Sequence, residues 1–435
     1  IDNTAPRIVS FNDKVTNGAN LSASTYTINV TANDTTLDVD SVYFFIENST
    51  SANILNITAS QSALNWNASW TTSSLPDGQY NITVFANDTV GNLNSSEFIS
   101  INLDSQKPTV ESTNPQNHTF RNTVTNINVS VKINDTTTKV NTSSILFTIE
   151  GFQFSPTSTS TSSNGVTAAY TLGGPYSNGK NFSLKIDAKD NSGNTMDQVI
   201  WYFAIDTNTP KAQNITINDT DQKIKSTDII NITLNASNGA ATIDNVSISN
   251  GSTVSYFTHL NLDYWSLITN ASSLGCIYNG NCSLTFNVTD SAFNQNTSEI
   301  LYLIIDDAKP KVTELNVDDL DQVVKSTDSI KFNVSINDTN FDSGSTVTIS
   351  NSSSVSMSKF STSGNNSIWN ITTHAAALGC SAPNGTCTVR LTATDIVGNQ
   401  NFSEILILTI DDVTPSVLNI STNDSNNIVT NLSVL

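Results

Sequence analysis

The chain has 435 residues, enough for two to four domains, with 18 Lys plus Arg against 38 Asp plus Glu and a net charge of −20. That balance excludes nucleic acid as a partner, because phosphate recognition needs a basic footprint, and it argues against docking on anionic lipid. Asn (59) and Ser plus Thr (117) dominate while charged residues are 13%, and 3 His and 2 Met leave little material for acid–base or metal catalysis. The composition therefore points away from an enzyme, and no catalytic residue is assigned.

Taken in chain order, the apolar residues alternate with period 2, the mark of half-buried strands. Tyr26, Ile28, Val30 and Ala32 share one face, as do Tyr80, Ile82, Val84 and Ala86, followed by Ile99, Ile101 and Leu103. The pattern returns at Ile127 to Ile133, at Phe182, Leu184, Ile186 and Ala188, and at Cys282, Leu284, Phe286 and Val288. It returns again at Ile330 to Ile336 and at Cys387, Val389, Leu391 and Ala393. Trp70, Trp265 and Trp369 read as core aromatics. Residues 155–164, rich in Ser and Thr, read as a low-complexity loop.

Two phrases repeat. A linker phrase, Asp-x-x-x-Pro, ends at Pro6, Pro108, Pro210, Pro310 and Pro415, at spacings of 102, 102, 100 and 105. A turn phrase, Asp-x-x-Gly-Asn, begins at Asp88, Asp190, Asp290 and Asp395, always 16 residues before the next linker Asp. Phe293 stands where Gly is expected, so the third turn should differ. Units of roughly 100 residues with short alternating strands predict an all-β fold, a tandem array of seven-stranded immunoglobulin-like β-sandwiches. The expected domains are 1–105, 106–207, 208–307 and 308–412. Residues 413–435 then read as the first strand or strands of a fifth domain, or as a strand donated to another subunit.

These phrases resemble the tandem Ig-like modules of archaeal and bacterial cell-surface proteins: S-layers, filaments, stalks and adhesins. The resemblance covers the whole chain and implies a module type, not an activity. No apolar run approaches the length of a spanning helix, so no direct membrane insertion is expected in this segment.

The sequon Asn-x-Ser/Thr occurs 34 times, about twice what composition alone predicts. On a strand, residues i and i+2 share a face, so Asn29 and Thr31 point out while Val30 points in. The first choices for N-linked glycans are Asn29, Asn33, Asn48, Asn56, Asn81, Asn87, Asn117, Asn134, Asn214, Asn218, Asn231, Asn287, Asn337, Asn370 and Asn384. The four cysteines form two local pairs, Cys276/Cys282 and Cys380/Cys387. Disulfides suit them better than zinc, which would lack a His to complete four ligands in either domain. Disulfides in turn imply an oxidising, extracellular setting at the cell surface.

In an Ig-like module the linker and the turn loops meet at one end, so acids gather there. The expected groups are Asp104, Asp135 and Asp190 at one junction and Asp306, Asp307, Asp338 and Asp395 at another, with only Asp206 and Asp290 between the second and third units. Calcium, which takes six to eight oxygens, is the ligand such groups would hold. The alternative is that each Asp caps its own turn. No other cofactor is required. Two function classes stand: a glycosylated structural subunit of an archaeal surface lattice or filament, with copies of itself as partners and donor-strand joining as one means of assembly, or an adhesin or stalk of a larger secreted protein.

Overall fold

The computed structural model describes residues 1–12, 14–49, 53–163, 165–380 and 383–421. Among the described residues strands account for almost all regular structure, and the helical segments are the 3-10 turns Ser272–Leu274 and Ala375–Leu378. Among the described residues no helix is long and apolar enough to cross a membrane.

The first sandwich shows the plan. One sheet runs Arg7–Asn12, Thr25–Asn33, Asn65–Thr71, Ser60–Ser62 in space. The facing sheet runs Asn20–Leu21, Phe98–Leu103, Gly78–Asp88, Val39–Asn48, Asn53–Thr58. The same two orders recur in three further sandwiches, whose second strands are Ile127–Asn134, Ile229–Ser237 and Ser329–Asn337. Seven strands form the Ig-like frame; the short Asn20–Leu21 strand is the first strand switching sheets to pair parallel with the last. A short strand such as Asn53–Thr58 or Phe152–Phe154 extends the second sheet.

Alternation decides what is buried. Ile28, Val30, Phe44, Trp70, Ile82 and Val84 are wholly enclosed in the first core. Trp70 meets Tyr80 edge to face with ring centroids 6.2 Å apart, and the Tyr80 hydroxyl donates to the Pro76 carbonyl at 2.7 Å, a tyrosine corner. The second core holds Phe147, Leu184, Trp201 and Phe203, the fourth Phe332, Val389, Leu391 and Trp369. Trp265 is likewise buried, so Trp70, Trp265 and Trp369 are core residues as expected, and Trp66 and Trp201 join them.

Contact density divides the chain into two compact units. The first holds the first two sandwiches together with residues 237–244 and 289–295; the second holds the remainder. The expected low-complexity loop contains a strand: Ser158–Thr161 pairs antiparallel with Gly165–Leu172 as the edge of its sheet. All four of its side chains are exposed, so no apolar period marked it. Residues 413–421 are exposed and carry no strand. The rest of the expectation for a fifth domain or donated strand falls on residues 422–435, outside the described residues.

Candidate metal centre at the module heads

The repeated turn is a hydrogen-bonded device. Asp88 Oδ1 accepts the backbone N–H groups of Val90 (2.9 Å) and Asn92 (2.8 Å). Its Oδ2 accepts the Asn92 side-chain amide at 2.7 Å, and that amide also donates to the Asp2 carbonyl at 3.3 Å. Asn194 reaches the Asp104 carbonyl at 2.8 Å, Asn294 that of Asp206 at 2.9 Å, and Asn399 that of Asp306 at 2.9 Å. The turn phrase and the linker phrase thus form one cross-link, the Asn amide bridging the turn carboxylate and the linker backbone. The 16-residue spacing has another origin: it is the length of the turn plus the last strand, as from Asp88 through Phe98–Leu103 to Asp104, the linker of the next module.

The third turn does not differ as expected. Asp290 accepts from Ala292 and Asn294 as its counterparts do. Phe293 adopts φ +68, where Gly91, Gly193 and Gly398 have +91, +91 and +84. The ring points to solvent, so the turn keeps its bonds and the residue bears the backbone strain.

Around these turns the acids converge. Asp104, Asp135 and Asp190 are all buried, with one carboxylate oxygen from each lying within 4.8 Å of the others; Asp306, Asp338 and Asp395 repeat the arrangement. Asp2, Asp34 and Asp88 converge in the same way at the first module head, where Asp88 is buried and Asp2 and Asp34 are half-buried. The sequence reading missed that third group, although the opening Asp2-Asn-Thr-Ala-Pro6 phrase and the Asp following the second strand signalled it. Asp307 does not join its expected group: it is exposed and accepts the Ser226 N–H at 2.9 Å.

The remaining head is the contrast. Where Asp34, Asp135 and Asp338 follow their strands, the third module has Asn238, whose amide donates to Asp206 Oδ2 at 3.0 Å and to Asp290 Oδ2 at 2.6 Å. Two carboxylates and a bridging amide are self-sufficient. Three carboxylates are not, because buried charges need pairing or a metal. Burial, assisted by the charges of Asp306 and Asp395 and opposed by the Asn340 N–H, pushes Asp338 up to about 6. Burial first and neighbouring acids next also raise Asp135 and Asp395. Hydrogen bonds satisfy part of each group: Asp135 Oδ1 accepts from the Lys139 backbone N–H (2.8 Å), Asp104 Oδ2 from the Thr138 hydroxyl (2.6 Å), and Asp306 Oδ2 from the Asn340 side-chain amide (2.8 Å). The donor set is all oxygen, without His or Cys, which suits a hard cation such as calcium.

The other predicted residues fall as follows. Disulfides join Cys276 to Cys282 and Cys380 to Cys387. Asn56, Asn117, Asn214, Asn218, Asn337 and Asn384 are exposed; Asn29, Asn33, Asn48, Asn81, Asn87, Asn134, Asn231, Asn287 and Asn370 are half-buried. Some amides are engaged: that of Asn134 donates to Glu111, and that of Asn337 to Asn366 at 2.6 Å.

Residues 14–84 match a family model described as a bacterial Ig domain, and residues 64–203 one described as a bacterial Ig-like domain of group 3. No curated protein matches the chain. Among solved structures it is similar to a tetra-tandem repeat in the extending region of a large adhesion protein, at 18% identity over 91% of this chain and 98% of that one, with a TM-score of 0.24. A bacterial ice-binding adhesin matches at 16% over 66% and 93%, with a TM-score of 0.26. Fibronectin(III)-like modules of Clostridium thermocellum CbhA match at 16% over 46% and 94%, also at 0.26. The repeated sheet order makes the chain a tandem array of Ig-like sandwiches, and residues 14–203 match bacterial Ig-like family models.

Proposed function

We propose that the chain is a structural extracellular protein: a glycosylated subunit of an archaeal surface lattice or filament, its module heads held by calcium. The observation that carries this reading is the repetition of one cross-linked head four times, with three carboxylates at three heads and an amide in place of the third carboxylate at the other. A load-bearing array needs joints that resist bending, and a cation gathering acids from the linker, the second-strand loop and the turn supplies one. Asp2, Asp34 and Asp88, then Asp104, Asp135 and Asp190, then Asp306, Asp338 and Asp395 are the proposed ligands. The disulfides support an oxidising compartment. Sequons on outward strand positions supply sites for sugars, which would shield edge strands from unwanted pairing.

Sedimentation and light scattering of the purified glycoprotein test this. The expected result is concentration-dependent assembly that a calcium chelator reverses. A chain that stays monomeric at every concentration, with calcium or without, refutes it.

A further inference from the structure

The second module departs from the other three at the end of the sandwich where its Asn181–Asp190 strand begins, away from Asp190. In the first module that end is closed by Leu75, packed on the core, and by the bond from Tyr80 to Pro76. In the third and fourth, a 3-10 turn places buried Leu274 or Leu378 there, beside a disulfide. The second module crosses the same end with Gly173-Gly174-Pro175-Tyr176. Gly174 has φ +79, and a Cβ there would stand 2.3 Å from the Val124 carbonyl oxygen, so the chain is bent tightly; in place of a buried leucine, Val124 and Tyr176 pack on the core only partly buried. What remains is a cavity of about 350 Å³, at the small end of the range for ligand pockets.

Its walls are aromatic. Phe154 and Tyr170 lie with ring centroids 4.8 Å apart, and Tyr176 meets the floor residue Phe182 edge to face at 4.8 Å. Phe152 is 71% exposed. Glu150 Oε2 accepts from Lys180 Nζ at 2.9 Å and its Oε1 from the Ser183 N–H at 3.0 Å. Lys180 Nζ stands 5.3 Å from the Phe182 ring centroid. The Tyr170 and Tyr176 hydroxyls have no hydrogen-bond partner among the described residues.

The chemistry of the ligand follows from these parts. Ring faces take a C–H-rich surface, while the two phenol hydroxyls, a carboxylate and an ammonium offer both donors and acceptors. Because Glu150 and Lys180 neutralise each other, neither an anion nor a cation is favoured. A compact neutral ring with apolar faces and a hydroxylated rim satisfies every element.

We infer that the second module carries a saccharide-binding site, which takes one neutral pyranose against Phe152, Phe154 and Tyr170 and holds its hydroxyls with Tyr170, Tyr176 and the Glu150–Lys180 pair. The sugar has two sources: an N-glycan on another copy of this chain, or a glycan of a foreign surface.

The test is a printed array of neutral oligosaccharides beside N-glycans released from the native protein, probed with the full chain and followed by titration of the strongest hit. Phe152→Ala, Tyr170→Phe and Tyr176→Phe are compared with the unaltered chain, and thermal melting confirms that each is folded. The expected result is a hit weakened tenfold or more by Phe152→Ala and by the double Tyr→Phe variant, with melting unchanged. Hits confined to the released glycans make the site a contact between copies; hits confined to the other oligosaccharides make it adhesive. Absence of any hit overturns the inference. So does a hit indifferent to the variants, or a proline-rich peptide that binds through Phe152 where no saccharide does.

Discussion

Replacing Asp338 by Asn should convert the fourth module head into the self-sufficient form seen at Asn238, where one amide donates to two carboxylates at 3.0 and 2.6 Å. In metal-free protein the Asp338 carboxyl is pushed up to about 6 by burial and by Asp306 and Asp395, against about 3.9 for an unperturbed aspartate. Between those values the folded state holds a proton that the unfolded state releases, so stability falls as pH rises through the window. Two units correspond to about 3 kcal/mol, an upper limit on what the charged form costs at pH 7. Asp338→Asn should therefore stabilise the chelator-treated fourth module at pH 7 by up to about 3 kcal/mol, which is roughly 10 °C or more for a domain of this size. At pH 4 the gain should vanish. With calcium the order should reverse, since the variant lacks a ligand. Calorimetry at pH 4 and 7, with chelator and with calcium, reads all of this. A variant that is less stable than the parent in chelator at pH 7, or equally stabilised at both pH values, refutes the reasoning.

Phe293→Gly should stabilise the third module by about 1 kcal/mol, because the left-handed conformation it occupies costs a non-glycine residue 1–2 kcal/mol and its exposed ring contributes little; an unchanged or lower melting temperature contradicts this. Replacing both Cys380 and Cys387 by Ser should cost about 2.5 kcal/mol by the loop-entropy model, read from denaturant melts with and without reductant. Asn194→Ala removes both the bond to the Asp190 carboxylate and that to the Asp104 carbonyl and should cost about 1–3 kcal/mol. Glycopeptide mass spectrometry should find sugars on the exposed sequons Asn56, Asn117 and Asn214 before the half-buried Asn87 and Asn287.

Period-2 alternation made the cores legible, because burial on one face of a strand is what that pattern encodes. Ile82, Leu184, Phe286 and Leu391 are all buried as read. The fixed spacing between turn Asp and the next linker Asp was legible too, because it is the length of the turn plus the last strand; the bond from each turn Asn back to the linker at the head of its own module, such as Asn194 to the Asp104 carbonyl, is a tertiary contact that no local spacing shows. Other features left weaker traces. The Ser158–Thr161 strand carries no apolar face, so it was indistinguishable from a loop. Phe293 looked like a broken turn because local propensity disfavours its conformation, yet the bonds from Asp290 and Asn294 override it. Asp307 sits one residue from Asp306 but turns to the Ser226 N–H, and adjacency in sequence cannot tell which of two neighbouring carboxylates faces inward. The aromatic cavity of the second module joins Phe152, Tyr170 and Tyr176 from three separate segments, so no local pattern announces it.

The proposed role of these modules is to build an extracellular assembly. Electron microscopy of the native cell surface and of the purified glycoprotein in calcium tests it most directly. Sheets or fibres with a regular repeat, lost on chelation, are the predicted result; dispersed single molecules under both conditions would contradict it.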